Sequence, residues 1–263
     1  MPGVREHHRA PHPPGARAGT RPEKDVSRPF QPDPALGLEE VDVEQGYALW
    51  APAYDRMLTD TVDGNILRRF LPSLPDRKLR LLDLGCGTGR NVLWLLEHGV
   101  RVEATGVDLS GPMLDRARAK GLYRAVHQGD VAEARPPGKP FELALSVLVA
   151  SHIESLEPLF RSARENLDAE GQFWLVDMHP HLFHLGKGTF LPLEGRTLYI
   201  RNHAHEIADY LNAASGAGFA LLEAAESFVP TSWGKKSATY RDVIGHPLGI
   251  GFRWGCAGTP NPS

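Results

Sequence analysis

The sequence is most informative first through what it lacks. It has only two cysteines, Cys86 and Cys256, far apart in the chain. This excludes a disulfide framework and any paired Cys-x-x-Cys metal site. A reduced, intracellular setting follows as the expectation. No apolar run is long enough to span a bilayer, and no apolar leader core follows Met1. The chain is therefore expected to be cytoplasmic, with no membrane partner. Charge of one sign is missing too. The formal net charge is −3 and the sequence pI is about 6.5. There is no clear basic stripe, so no nucleic-acid partner is expected.

The first 38 residues lack apolar content and periodicity. "EHHRAPHPPGARAGTRPEKD" cannot bury enough surface to offset its ordering entropy. Residues 1–38 are expected to be a disordered Pro-, Arg- and His-rich tail. His7, His8 and His12 are read as part of that solvated tail and not as metal ligands.

Beyond this point the character changes. Hydrophobic residues make up 41% of the chain, enough for one sizeable domain over residues 39–263. Tyr47, Trp50, Tyr54 and Leu58 fall at helical spacing, interrupted by Pro52. "DGNILRRFLPSL" predicts a second short helix. Strands and helices then alternate. "KLRLLDL", "VEATGVDLS", "YRAVHQGD", "FELALSVLV" and "GQFWLVDM" read as strands. "RNVLWLLEHG", "GPMLDRARAKG" and "LEPLFRSARENL" read as the helices between them, the last ended by "DAEG". Such alternation predicts an α/β fold with a mostly parallel sheet and helices on both faces. Strands this apolar belong inside the sheet. Further on, "TFLPLEGRTLYIRN" predicts two short strands within a β insertion at 179–203. A helix and a late antiparallel hairpin close the chain.

The stretch "LLDLGCGTGRN" ends a strand and opens a helix. Its glycines, Gly85, Gly87 and Gly89, let a ligand approach the backbone at the strand's carboxyl end. The spacing differs from the dinucleotide G-x-G-x-x-G, whose third glycine comes one place later. No Gly-Lys-Ser/Thr follows, so it is not a phosphate loop either. Asp108 ends the second strand, where a carboxylate can accept from a ribose diol. Asp130 follows the third strand, where it can accept from an exocyclic amine.

"LLDLGCGTGRN", "GVDLS" and "QGDV", in that order and separation, resemble the class I S-adenosylmethionine-dependent methyltransferases. "YALWAPAYD" resembles the helical lid of their small-molecule, UbiE-like (methyltransferase type 11) branch. "VLVASHI" and "DMHP" resemble segments after its fourth and fifth strands. The resemblance runs from about Tyr47 to the C-terminus. It implies a Rossmann-like, seven-stranded sheet with a lid over 39–76, and S-adenosylmethionine as cofactor. It implies that Asp83, Gly85, Gly87 and Gly89 hold the methionine end and Asp108 the ribose. Leu109 and Met113 would flank the adenine, and Asp130 and Val131 would bind its edge. Ser146 would lie by the methionine moiety, and Tyr47 and Tyr54 would close over it.

The chemistry expected is methyl transfer to a small organic acceptor, at oxygen, nitrogen or carbon. A general base is needed only where the acceptor loses a proton. His152 and His179, at the exits of the fourth and fifth strands, are the candidate bases. Phe183, Phe190, Leu193, Tyr199 and Ile200 are expected to line the pocket under the insertion. No metal is expected, since "HPHLFH" has no acidic or cysteine partner nearby. A monomer or homodimer is expected. Two other readings compete: a non-catalytic cofactor-binding or regulatory protein, and a nucleic-acid methyltransferase.

Overall fold

The computed structural model describes residues 28–57, 62–138, 140–236 and 238–257. Expectations for residues 1–27 and for Leu58 lie outside these. The central sheet has seven strands. They are β1 (Leu79–Leu84), β2 (Val102–Asp108), β3 (Tyr123–Gln128), β4 (Phe141–Val147), β5 (Leu167–Met178), β6 (Phe219–Phe228) and β7 (Pro247–Cys256). Their order is β6-β7-β5-β4-β1-β2-β3, with β7 antiparallel to both neighbours. This is the expected mostly parallel sheet closed by a late hairpin. The fifth strand begins earlier than expected. "DAEG" lies inside β5, because Leu167 pairs with Phe141 at the start of β4.

The continuous apolar runs reflect burial on both faces. Leu81, Leu145, Trp174 and Val176 pack against α3 (Gly64–Phe70) and α4 (Arg90–Glu97). Their alternates Leu82, Ala144, Phe173 and Leu175 pack against α6 (Leu156–Asn166) and α8 (Ile207–Gly216). Side chains alternate across a strand, so one apolar run feeds two cores. Between β2 and β3 runs α5 (Gly111–Lys120), opened by Pro112 and ended at left-handed Gly121.

The chain runs outward from β1 to β2 and β3, then crosses back to β4. The strand order therefore reverses between β1 and β4. Open sheets bind ligands in the crevice beyond such a switch point.

Above that crevice stands a second sheet of three strands. Glu39–Val41 pairs in parallel with Arg196–Ile200, which pairs antiparallel with Thr189–Leu193. Val41, Leu191, Leu198 and Ile200 form its core, and Tyr47 and Trp50 of α1 (Val43–Trp50) pack on it. A Cβ on Gly46 would lie 2.6 Å from Ile200 Cγ1, so only glycine lets α1 rest on this roof. Lid and insertion thus form one unit. Phe183, Tyr199 and Ile200 are buried in the roof's own packing, which corrects their assignment to a pocket lining.

The domain boundary expected at residue 39 is also corrected. Arg28–Pro29 pairs with His203–Ala204, and Phe30 is buried against Phe183 and Tyr199. The Phe30 N–H donates to the Asn202 carbonyl at 3.0 Å. A single aromatic residue and two paired residues tie this strap down, too little to leave a periodic signal.

Candidate functional site

The glycine loop turns directly off β1. Gly85, Gly87 and Gly89 all have left-handed backbone, with φ of 79°, 52° and 82°. Their surroundings differ. A Cβ on Gly85 would lie 2.2 Å from Val149 Cγ2, so this glycine permits the close approach of the β4 exit. A Cβ on Gly87 would meet nothing within 4 Å. Gly87 therefore faces open space above the sheet edge, and Gly89 caps α4.

Acids gather round the loop. Asp108 Oδ2 accepts from the Gly87 N–H at 2.7 Å, and Oδ1 accepts from the Ser110 N–H at 2.9 Å. Burial raises the Asp108 pKa. Asp83 is fully buried on β1 and accepts from the Tyr123 hydroxyl at 2.7 Å. Burial pushes its pKa up to about 7, with the Asp108 charge adding to the shift and the Tyr123 bond opposing it. Its other oxygen, Oδ1, has no partner among the described residues, nor does Ser146 Oγ on β4. The two atoms lie on opposite faces of the sheet, Asp83 on the face of Leu81 and Leu145 and Ser146 on that of Ala144 and Leu175.

The remaining expected residues follow β2 and β3. Leu109 is exposed, Met113 is buried beneath it in α5, and Val131 is buried beside the β3 exit. Asp130 caps the turn at 131–133 by accepting from the Ala132 N–H at 2.8 Å.

The N-terminal helices reach the loop and are pinned at two points. Asp55, in α2 (Tyr54–Met57), pairs with Lys120 Nζ at 2.8 Å and accepts from the Thr88 hydroxyl inside the glycine loop. Asp63 is buried and pairs with Arg90 at the start of α4. Sequence reasoning missed both clasps, because ion-pair partners this distant leave no spacing pattern. Tyr47, Trp50 and Tyr54 pack on one another, with ring centroids 5.2 to 6.0 Å apart. Burial pushes the Tyr54 pKa up to about 12 and raises that of Tyr47 well above its ordinary value. Both remain hydroxyl donors.

The β4 exit carries Leu148 with φ of 60°, the one left-handed non-glycine among the described residues. Such strain is stored where surrounding contacts over-determine the backbone. Below the following turn lies Asp177, fully buried at the end of β5 and accepting from the Ser151 N–H at 2.9 Å. That turn presents His152. Its Nδ1 is 2.7 Å from the Arg201 carbonyl, which can only accept, so Nδ1 carries the proton. The Nε2 lone pair accepts from the Tyr47 hydroxyl at 2.8 Å. Burial pushes the His152 pKa down to about 4, against the pull of the Arg201 carbonyl. The imidazole is neutral at neutral pH, and its proton is fixed on the far side from the lid.

His179 is arranged differently. Its Nδ1 accepts from the His181 N–H at 3.1 Å, capping α7 (Pro180–His184). Its Nε2 lies 3.1 Å from Glu226 Oε1 and donates to it. Both ring nitrogens of His179 are engaged, as both are in His152, and His179 in addition caps α7. His181 and His184 are likewise engaged, by His246 and Glu206. No group of three metal-ligating side chains occurs among the described residues. Nor, among them, is any helix long and apolar enough to cross a membrane.

A model of the methyltransferase domain matches residues 81–171, from β1 to the start of β5. An uncharacterized methyltransferase of Emericella nidulans is 28% identical over 224 residues, covering 70% of this chain and 78% of that protein. Among solved structures, an S-adenosylmethionine-dependent methyltransferase from Mesorhizobium loti superposes with a TM-score of 0.56. It is 24% identical, over 72% of this chain and 96% of its own. The DhpI–SAH complex superposes with a TM-score of 0.55 at 19% identity, over 83% and 95% of the two chains.

Proposed function

Since the chain is an S-adenosylmethionine-dependent methyltransferase of the class I fold, we propose that it methylates a small organic acceptor and that His152 takes up the proton the acceptor loses. The observation that carries this reading is the neutral imidazole of His152, its tautomer held by Arg201 and its Nε2 turned to the lid tyrosine.

The residues present fit the cofactor. Asp83 Oδ1, buried and without a partner, suits a charged amine. Gly87 leaves the space a side chain would fill. Asp108 would accept from the ribose, with exposed Leu109 against the base and Asp130 and Val131 at its edge. Tyr47 and Tyr54 would close over the methionine end. The Asp108 charge adds to the burial that raises the proton affinity of Asp83, so a cationic ligand beside Asp83 favours its carboxylate form. When bound, the cofactor supplies a methyl group made electrophilic by a positively charged sulfur.

The chain's own task is alignment, dryness and proton uptake. Lid and roof cover the strand ends as one apolar unit, which suits an acceptor held in line and out of water. Positioning of this kind can lower a barrier by roughly 7–11 kcal/mol in favourable cases. The acceptor's proton passes to His152 Nε2 through, or in place of, the Tyr47 hydroxyl. Arg90 and Lys120 are each neutralised by an aspartate. This favours a small acceptor over a polyanion, whose phosphates call for cations not already paired.

The test is a turnover assay following S-adenosylhomocysteine release with phenols, alcohols, carboxylic acids, amines, tRNA and DNA. A hydroxyl-bearing small molecule is the expected acceptor. His152→Ala is expected to slow its turnover roughly 10²–10⁴-fold with little change in cofactor affinity. Turnover confined to nucleic acid would sink the small-acceptor reading. An unchanged rate in His152→Ala would remove the base.

A further inference from the structure

Asn202 is fully buried at the exit of the roof hairpin, and all its polar groups have partners. Its Oδ1 accepts from the Thr189 N–H at 2.7 Å. Its Nδ2 donates to the Ser151 carbonyl at 3.4 Å; it also lies 3.2 Å from His152 Nδ1, a contact between two donors that the Arg201 carbonyl, nearer at 2.7 Å, outweighs. Its backbone N–H donates to the Tyr199 hydroxyl at 2.7 Å, and its carbonyl accepts from the Phe30 N–H at 3.0 Å. The peptide just before it carries the Arg201 carbonyl that takes the His152 Nδ1 proton. That carbonyl is held still because its neighbour is held on four sides.

We propose that Asn202 is a positioning residue for His152, clamping the roof's exit turn onto the turn at 150–152 and so fixing which imidazole nitrogen carries the proton. The inference rests on the reading of His152 as the base. A carboxamide suits the position for a chemical reason. It offers an acceptor to one backbone N–H and a donor to one backbone carbonyl at once. An aspartate offers no donor to Ser151 and sets a charge beside the imidazole. The glycine at 188 makes the room, since a Cβ there would lie 3.1 Å from Asn202 Oδ1 and 2.6 Å from Phe30 Cε1. The strap at 28–30, the roof and the 150–152 turn thereby meet at one side chain. The titratable groups facing His152 are Tyr47 from α1, His203 just after the clamp, Arg201 with its partner Glu40, and Asp177 beneath the turn.

The test is nuclear magnetic resonance of the full chain with nitrogen-labelled histidine, titrated with neither cofactor nor acceptor. In the wild type the proton is expected on Nδ1 at pH 7, with a titration midpoint of about 4. Asn202→Asp is expected to raise the midpoint by roughly 1–3 units, as an adjacent opposite charge does. Asn202→Ala is expected to populate both tautomers. Asn202→Ser, which keeps a hydroxyl but removes the amide, is read in the same way where thermal melts show the other two unfolded. A wild-type proton on Nε2 overturns the proposal without any substitution. So do folded variants with an unchanged tautomer and midpoint. Failure of the base reading is distinct. There the resonances behave as expected, while His152→Ala turns over the acceptor at full rate.

Discussion

The cofactor end of the crevice and its roof end differ in how far along the chain their parts are drawn from. At the cofactor end, Gly87 and Asp108 meet across 21 residues, and Asp83 and Tyr123 across 40. Glycines and strand ends in regular succession build it. At the roof end, Tyr47 reaches His152 across 105 residues and Tyr199 reaches Phe30 across 169. Single side chains from separate segments build that end. The first region is constrained by backbone conformation, the second by who packs on whom. A change at the first end is therefore expected to act on ligand binding, and a change at the roof end first on stability and on the surroundings of His152.

Phe30→Ala gives the largest expected effect and strikes the roof side. Removing a buried aromatic ring costs about 3–5 kcal/mol, read as a lowered midpoint in urea. Retention of wild-type stability would show that the strap adds nothing to the domain. The next largest effect separates two glycines of one loop. Gly85→Val would press on Val149 from 2.2 Å in a left-handed backbone. Overpacking and strain together cost roughly 2–5 kcal/mol. Gly87→Val carries the strain without the clash, so it is expected to fold but to lose cofactor affinity in calorimetry. Equal melting of the two variants would erase the distinction between a packing glycine and a ligand-facing one.

The smallest effect is a slope. Asp83 has a folded pKa of about 7, above the ordinary carboxylate value of 3.8. Between those values the folded chain keeps a proton that the unfolded chain has released. Its contribution to stability is then fully present below about pH 4 and is lost as pH rises toward 7. Asp83→Asn is expected to flatten this part of the pH–stability curve in the cofactor-free protein. A cofactor amine that favours the carboxylate is expected to release a proton on binding near pH 6, seen as buffer-dependent heat. The same slope in Asp83→Asn, or binding with no proton release, would place the amine elsewhere.

The two ends were also unequally legible. The five alternating strands and the late hairpin, the loop glycines and the acid ending β2 could be read from apolar runs and punctuation, since each is local. Phe30 was hidden by a tail poor in apolar residues, because one ring carries no period. His152 and His179 looked alike, each a histidine just past a strand. Only their partners differ: a carbonyl and a phenol for one, a helix N–H and a carboxylate for the other. The roof aromatics were legible as apolar but not as to which side they faced. Two short strands pair the same way whether they cover a ligand or each other.

By itself the amino-acid sequence determined the α/β succession and the glycine loop at the switch point, and the resemblance of its motifs to the class I methyltransferases implied the cofactor class. Alternation, left-handed glycines and strand-end acids act within one or two neighbouring elements, so their chemistry is written in adjacent residues. Tertiary structure alone decided what each histidine bonds to, what holds the His152 proton in place and how far the domain extends toward the N-terminus. Those outcomes depend on burial and on hydrogen-bond partners many tens of residues away. A residue's identity states which bonds it can make, and only the folded chain states which bonds are left for it.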